Sequence, residues 1–122
     1  MHILFLDESG KPGDKLFAVG GVAVAADRWG ELRAAWEAVL AGHGWPAGRE
    51  VKWHGIRSGE VPPPLADALF AAVCAAPVTC FVTVLRPLAG RQAGDPLLAT
   101  DEDTYATALT FLAERFRMLG WL

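Results

Sequence analysis

Hydrophobic residues along the chain follow three spacings in turn. Ile3-Leu4-Phe5-Leu6 is a continuous apolar run, the pattern of a strand buried on both faces. Leu16 to Ala25 is rich in β-forming residues and follows the turn sequence Lys11-Pro12-Gly13-Asp14. It predicts a second strand in a hairpin with the first. The spacing then becomes helical: Trp29, Leu32, Trp36, Val39 and Leu40 share one face of a helix capped by Asp27, running to about Ala41 and ended by Gly42 and Gly44. Trp45 to Gly59 lacks periodicity and reads as loop. Pro62-Pro63-Pro64 opens a second helix with Leu65, Ala68, Leu69, Ala72 and Val73 inward, closed by Pro77. Val78 to Leu85 alternates as a third strand, with Thr79 and Thr83 on a more polar face. A Gly- and Pro-containing loop from Leu88 to Ala99 follows. Thr100 with Asp103 then makes a capping-box pattern before a helix with Tyr105, Leu109, Leu112, Phe116 and Leu119 on one face.

The order strand, strand, helix, helix, strand, helix is that of an α/β or α+β domain, read as a single domain over residues 1–122. An apolar fraction of 52% excludes a disordered chain. A net charge of −3 offers no basic footprint for tight nucleic-acid binding, and says less about an enzyme that handles nucleic acid transiently. The N-terminal apolar run ends in two acids and is too short for a signal-peptide core or a membrane span. Cys74 and Cys80 lie in apolar surroundings and read as buried free thiols in a reducing cytoplasm. His2, His43 and His54 are scattered, with no Cys/His spacing of a zinc site.

The candidate chemistry begins at Asp7-Glu8-Ser9-Gly10, directly after the first strand. A carboxylate at a strand exit is held rigidly where α/β proteins place their chemistry. The plainer reading is a type I turn, with Asp first and Gly fourth. Strand alternation sends Glu8 to the side opposite Asp7. Ser9 has no evident His/Asp partnership to make it a nucleophile. Glu50 and Lys52 read either as a solvated ion pair on a loop or as a metal-binding acid beside a phosphate-neutralising cation. His54 reads as a loop bystander or a proton carrier. Asp101, Glu102 and Asp103 suit the first turn of a helix, where carboxylates complement its dipole. Gly20-Gly21 implies a bulge or a close approach of another backbone or a ligand; no Lys or helix opening follows to make it a phosphate loop.

Three segments resemble the family known as domain of unknown function 3800, which is regarded as ribonuclease H-like. Residues 3–10 are similar to its opening strand and DESG turn, Phe17-Ala18-Val19-Gly20-Gly21-Val22 to its second strand, and Glu50-Val51-Lys52-Trp53 to its Glu-x-Lys motif. The helix start Tyr105 to Leu109 matches its Tyr-x-x-Ala-Leu pattern. The resemblance implies a ribonuclease H-like mixed sheet flanked by helices. It implies a Mg²⁺- or Mn²⁺-dependent nuclease in which Asp7 and Glu50 bind metal and Lys52 neighbours the active site, acting on DNA or RNA. Members of that family continue into a further strand bearing more acids. The apolar end Gly120-Trp121-Leu122 accordingly predicts a sheet lacking its last strand or strands, with further acids supplied by a continuation of the chain or by a partner. The alternative is a non-catalytic interaction or assembly module with a degenerate or partner-completed site, whose open sheet edge is covered by Trp121-Leu122, by a second copy or by a partner chain.

Overall fold

Alternating β-branched and aromatic residues between Gly/Pro-rich turns form three strands: β1 (His2–Ser9), β2 (Phe17–Ala25) and β3 (Val78–Leu85). In the computed structural model, which describes residues 1–120, they make an antiparallel sheet ordered β1-β2-β3. The sheet is therefore antiparallel among the described residues, where a mixed one was expected. Among the described residues five α-helices accompany the sheet: α1 (Trp29–Gly42), α2 (Trp53–Ser58), α3 (Pro63–Ala75), α4 (Pro87–Gln92) and α5 (Asp101–Met118). The expectations placed on Trp121 and Leu122 lie outside the described residues.

The chain divides into two compact units, Met1–Val24 with Thr79–Leu122, and Ala25–Val78. In the first, Phe17 and Val19 of β2 and Leu85 of β3 pack with Leu98 and with Ala108 and Leu112 of α5. Tyr105 joins this core edge-on to Phe17, ring centroids 5.1 Å apart. Central β2 holds most of the buried strand positions, whereas β1 is an edge strand with Phe5 and Leu6 each 44% exposed. Its apolar run therefore does not mark burial on both faces: Ile3 and Leu4 are half-buried, and among the described residues nothing packs over Phe5 and Leu6 closely enough to bury them. On β3 the threonine side is shared with Phe81 and Leu85, which meet the α5 core, and the valine side, Val82 and Val84, is exposed. The polar residues thus do not select the solvent face. The inward face of α5 is Thr104, Thr107, Ala108, Leu112 and Phe116; Leu109 and Leu119, expected inward, are exposed.

In the second unit α1 packs against α3. Val61, Leu65, Ala66 and Leu69 are buried against Trp36, Val39, Leu40, Trp45, Val51 and Ile56. The predicted faces of α1 and α3 are the ones that turn inward. Asp27 does not cap α1; it lies in a short 3-10 turn, and Arg28 occupies the cap without a side-chain bond. Two stretches read as loop contain α2 and α4, each six residues, too short for a periodic signature. Cys74 and Cys80 are both exposed rather than buried, since each sits on the outward side of its element. No helix of the described residues is long and apolar enough to cross a membrane.

Candidate functional site

Asp7 lies inside β1, which runs through Ser9 before Gly10 bends the chain. Gly10 has φ +80°, and a Cβ there would stand 2.8 Å from the Leu16 carbonyl oxygen, so the bend requires glycine. The tight turn is one step later: the Asp14 N–H donates to the Lys11 carbonyl at 3.0 Å, and the Lys11 N–H donates to Asp14 Oδ2 at 2.9 Å. The turn read at Lys11-Pro12-Gly13-Asp14 is therefore present, whereas the type I turn considered at residues 7–10 is not formed, since β1 runs through Ser9. Asp7 is held by extended backbone instead, and its Oδ1 accepts the Glu8 N–H at 2.8 Å. With the exposed Val82 and with Ser9, Ala18 and Gly20, it lines an open concavity of about 490 Å³.

Strand alternation points Asp7 and Glu8 to opposite sides of β1, and Glu8 also borders the concavity that Asp7 lines. Glu8 accepts a hydrogen bond from the Tyr105 hydroxyl of α5. That bond, then desolvation, then the negative charges of Glu8 and Asp101 raise the Tyr105 pKa above its ordinary 10.0, because each favours the neutral phenol. Glu8 is therefore committed to fastening β1 to α5. The Gly20-Gly21 pair has a packing explanation on its second member: a Cβ on Gly21 would come within 2.7 Å of Leu6 Cδ2 and 2.9 Å of Leu4 Cδ1. What approaches is β1's own side chains.

Arg91 of α4 is the strongest polar tie of this unit. Its Nε donates to the Leu98 carbonyl at 2.8 Å, and its Nη2 reaches the Pro12 carbonyl at 3.0 Å and Asp101 Oδ1 at 2.8 Å. Asp101 thus serves this tie as well as the helix start. Thr100 caps α5 as predicted, accepting the Asp103 N–H at 3.0 Å.

Glu50 and Lys52 belong to the second unit, in the segment leading into α2. Their charged ends are 3.8 Å apart and their side chains 76% and 70% exposed, respectively. With Trp45, Arg49, His54 and Glu60 they line a cavity of about 260 Å³. Its wall is fixed by Trp45 Nε1 donating to the Arg49 carbonyl at 2.9 Å and by the Arg49 guanidinium 4.5 Å over the Trp45 ring and paired with Glu60.

Asp7 and Glu50 each offer an exposed, hard oxygen donor. That suits Mg²⁺ or Mn²⁺, which use one or two protein carboxylates and fill the remaining positions with water and phosphate. Among the described residues, no group of three or more His, Cys, Asp or Glu side chains is arranged to hold a metal ion. Residues that sequence reasoning missed are Tyr105 as the partner of Glu8, and Arg91. The Tyr105–Glu8 bond and the Arg91–Pro12 bond join residues 97 and 79 positions apart, which no local pattern encodes. Compared with protein-family models, with curated proteins and with solved structures, the chain finds no match.

Proposed function

We propose that this chain is a ribonuclease H-like, divalent-metal-dependent nuclease domain, with Asp7 and Glu50 as metal-binding carboxylates and Lys52 as the phosphate neighbour. The observation that carries the reading is the exposed Asp7 carboxylate on an extended strand, within a DESG segment and accompanied by Glu50-x-Lys52. The Glu8 N–H, donating to Asp7 Oδ1 at 2.8 Å, restrains the Asp7 carboxylate. A ligand so held loses little entropy on binding a cation. When bound, Mg²⁺ or Mn²⁺ supplies charge at the phosphoryl oxygens and lowers the pKa of a bound water. Asp7 and Glu50 hold that ion. The Lys52 ammonium neutralises a non-bridging oxygen, exchanging its 3.8 Å partnership with Glu50 for the substrate. Glu8, occupied by Tyr105, orients the strand end and takes no part in ligation.

The test is cleavage of labelled single- and double-stranded DNA and RNA in Mn²⁺. Asp7→Asn is expected to abolish it, with circular dichroism and the thermal midpoint unchanged. Full activity in that variant, or none in the parent protein, would overturn the assignment. One observation favours a second reading, an assembly module: Val82 and Val84 expose 68% and 56% of their surface on one side of β3. A concentration-dependent dimer in sedimentation that Val82→Lys dissociates, together with no Mn²⁺ binding, would select it.

A further inference from the structure

Within Ala25–Val78, Trp53 differs from the other tryptophans. Trp29, Trp36 and Trp45 are half-buried, whereas Trp53 is 62% exposed. The short helix it begins explains why. Gly55 is buried with its Cα side against Val61, where a Cβ would lie 3.1 Å from Val61 Cγ2, and Ile56 packs on the α1–α3 core. With Gly55 and Ile56 inward, Trp53 and Arg57, four residues apart, share the outward side with His54. Lys52 precedes the ring, and its side chain is 70% exposed.

The surroundings of this indole are charged. Lys52 and Arg57 stand near it in sequence, and the other exposed large hydrophobic side chain of this unit, Phe70, lies on α3 rather than beside it in the chain. A protein-docking patch would cluster apolar neighbours around the ring. One flat aromatic among cations is instead the arrangement that stacks a base and tracks the adjoining phosphates. Glu60 neutralises Arg49, which is stacked on Trp45, so the cations left to the indole are Arg57 and Lys52, whose exposed pairing with Glu50 at 3.8 Å costs little to open.

We infer that Trp53 is a stacking platform for an unpaired nucleobase, with Lys52 and Arg57 on the flanking phosphates, so that the ligand is single-stranded nucleic acid. The inference rests on the nuclease reading for its class of ligand and narrows it to strands whose bases are accessible.

Binding is measured by fluorescence anisotropy in EDTA, so that no cleavage occurs, with fluorescein-labelled oligouridine and oligothymidine of about twelve nucleotides. Trp53→Ala is expected to weaken binding by about tenfold or more, and Trp53→Phe, which keeps a ring, by less than about threefold. Lys52→Ala with Arg57→Ala is expected to make the slope of log K against log salt shallower by roughly 1.4, as for two phosphate contacts on a single strand. The probe that binds, RNA or DNA, names the substrate. Equal binding by Trp53→Ala, equal losses in the Phe and Ala variants, or no binding of either probe overturns the inference. Asp7→Asn separates the two claims: it is expected to bind like the parent while failing to cleave. Lost cleavage with undiminished binding by Trp53→Ala leaves the nuclease reading standing and removes the platform.

Discussion

The two compact units use charge differently. In the unit built on the sheet, Arg91 reaches two backbone carbonyls and a carboxylate, with its side chain only 27% exposed, and so joins the β1–β2 turn, the segment before α5 and α5 itself. In the helical unit the ion pairs Arg28–Glu31, Arg33–Glu37, Arg49–Glu60 and Glu50–Lys52 all lie about half exposed or more. Exposed pairs contribute little, because water screens them and long side chains lose freedom in forming them. The first unit spends its polar groups on holding shape; the second keeps most of its charges at the surface, free to exchange partners.

The comparison is broken or sharpened by substitution. Phe17→Ala, at a fully buried position of the sheet core, is expected to cost about 3–5 kcal/mol in urea denaturation. Arg91→Ala is expected to cost about 1–3 kcal/mol, since it leaves the Leu98 and Pro12 carbonyls without their donor, while the Asp101 carboxylate returns to water. Arg49→Ala in the helical unit should cost no more than about 1 kcal/mol, and a loss equal to that of Arg91→Ala would erase the contrast. Thr100→Ala removes the cap of α5 and is expected to cost about 1 kcal/mol.

The smallest effect is also the most specific. Tyr105 is the only tyrosine, so absorbance titration reads its phenol alone. Its midpoint is expected above 10.0 and to fall toward that value in Glu8→Ala. Because the folded state favours the neutral phenol, this contribution to stability is complete below pH 10.0 and is lost as pH rises through the folded value. An unshifted midpoint would mean that Glu8 is not fastened to α5.

Long elements were legible where one period ran for several turns. The half-buried face of α1, the inward face of α3 and the bounds of β3 all follow from spacing. The α5 face was displaced because Thr104 and Thr107 point inward, Thr104 donating to the Thr100 carbonyl and Thr107 to the Leu97 carbonyl. A buried threonine whose hydroxyl has a partner reads as polar in sequence and behaves as core. Edge placement of β1 and exposure of both cysteines depend on which neighbours arrive, and residue type does not encode that. The strand that presents Asp7 was visible in the sequence. The Tyr105 bond beside it was not, for it joins residues 97 positions apart.

The central claim, that Asp7 and Glu50 are carboxylates of a divalent-cation site, is tested most directly by titrating Mn²⁺ into the protein and following its free-ion electron paramagnetic resonance signal. The account predicts saturable binding that Asp7→Asn and Glu50→Gln each weaken by about tenfold or more, with folding unchanged. Binding that neither substitution alters would contradict it.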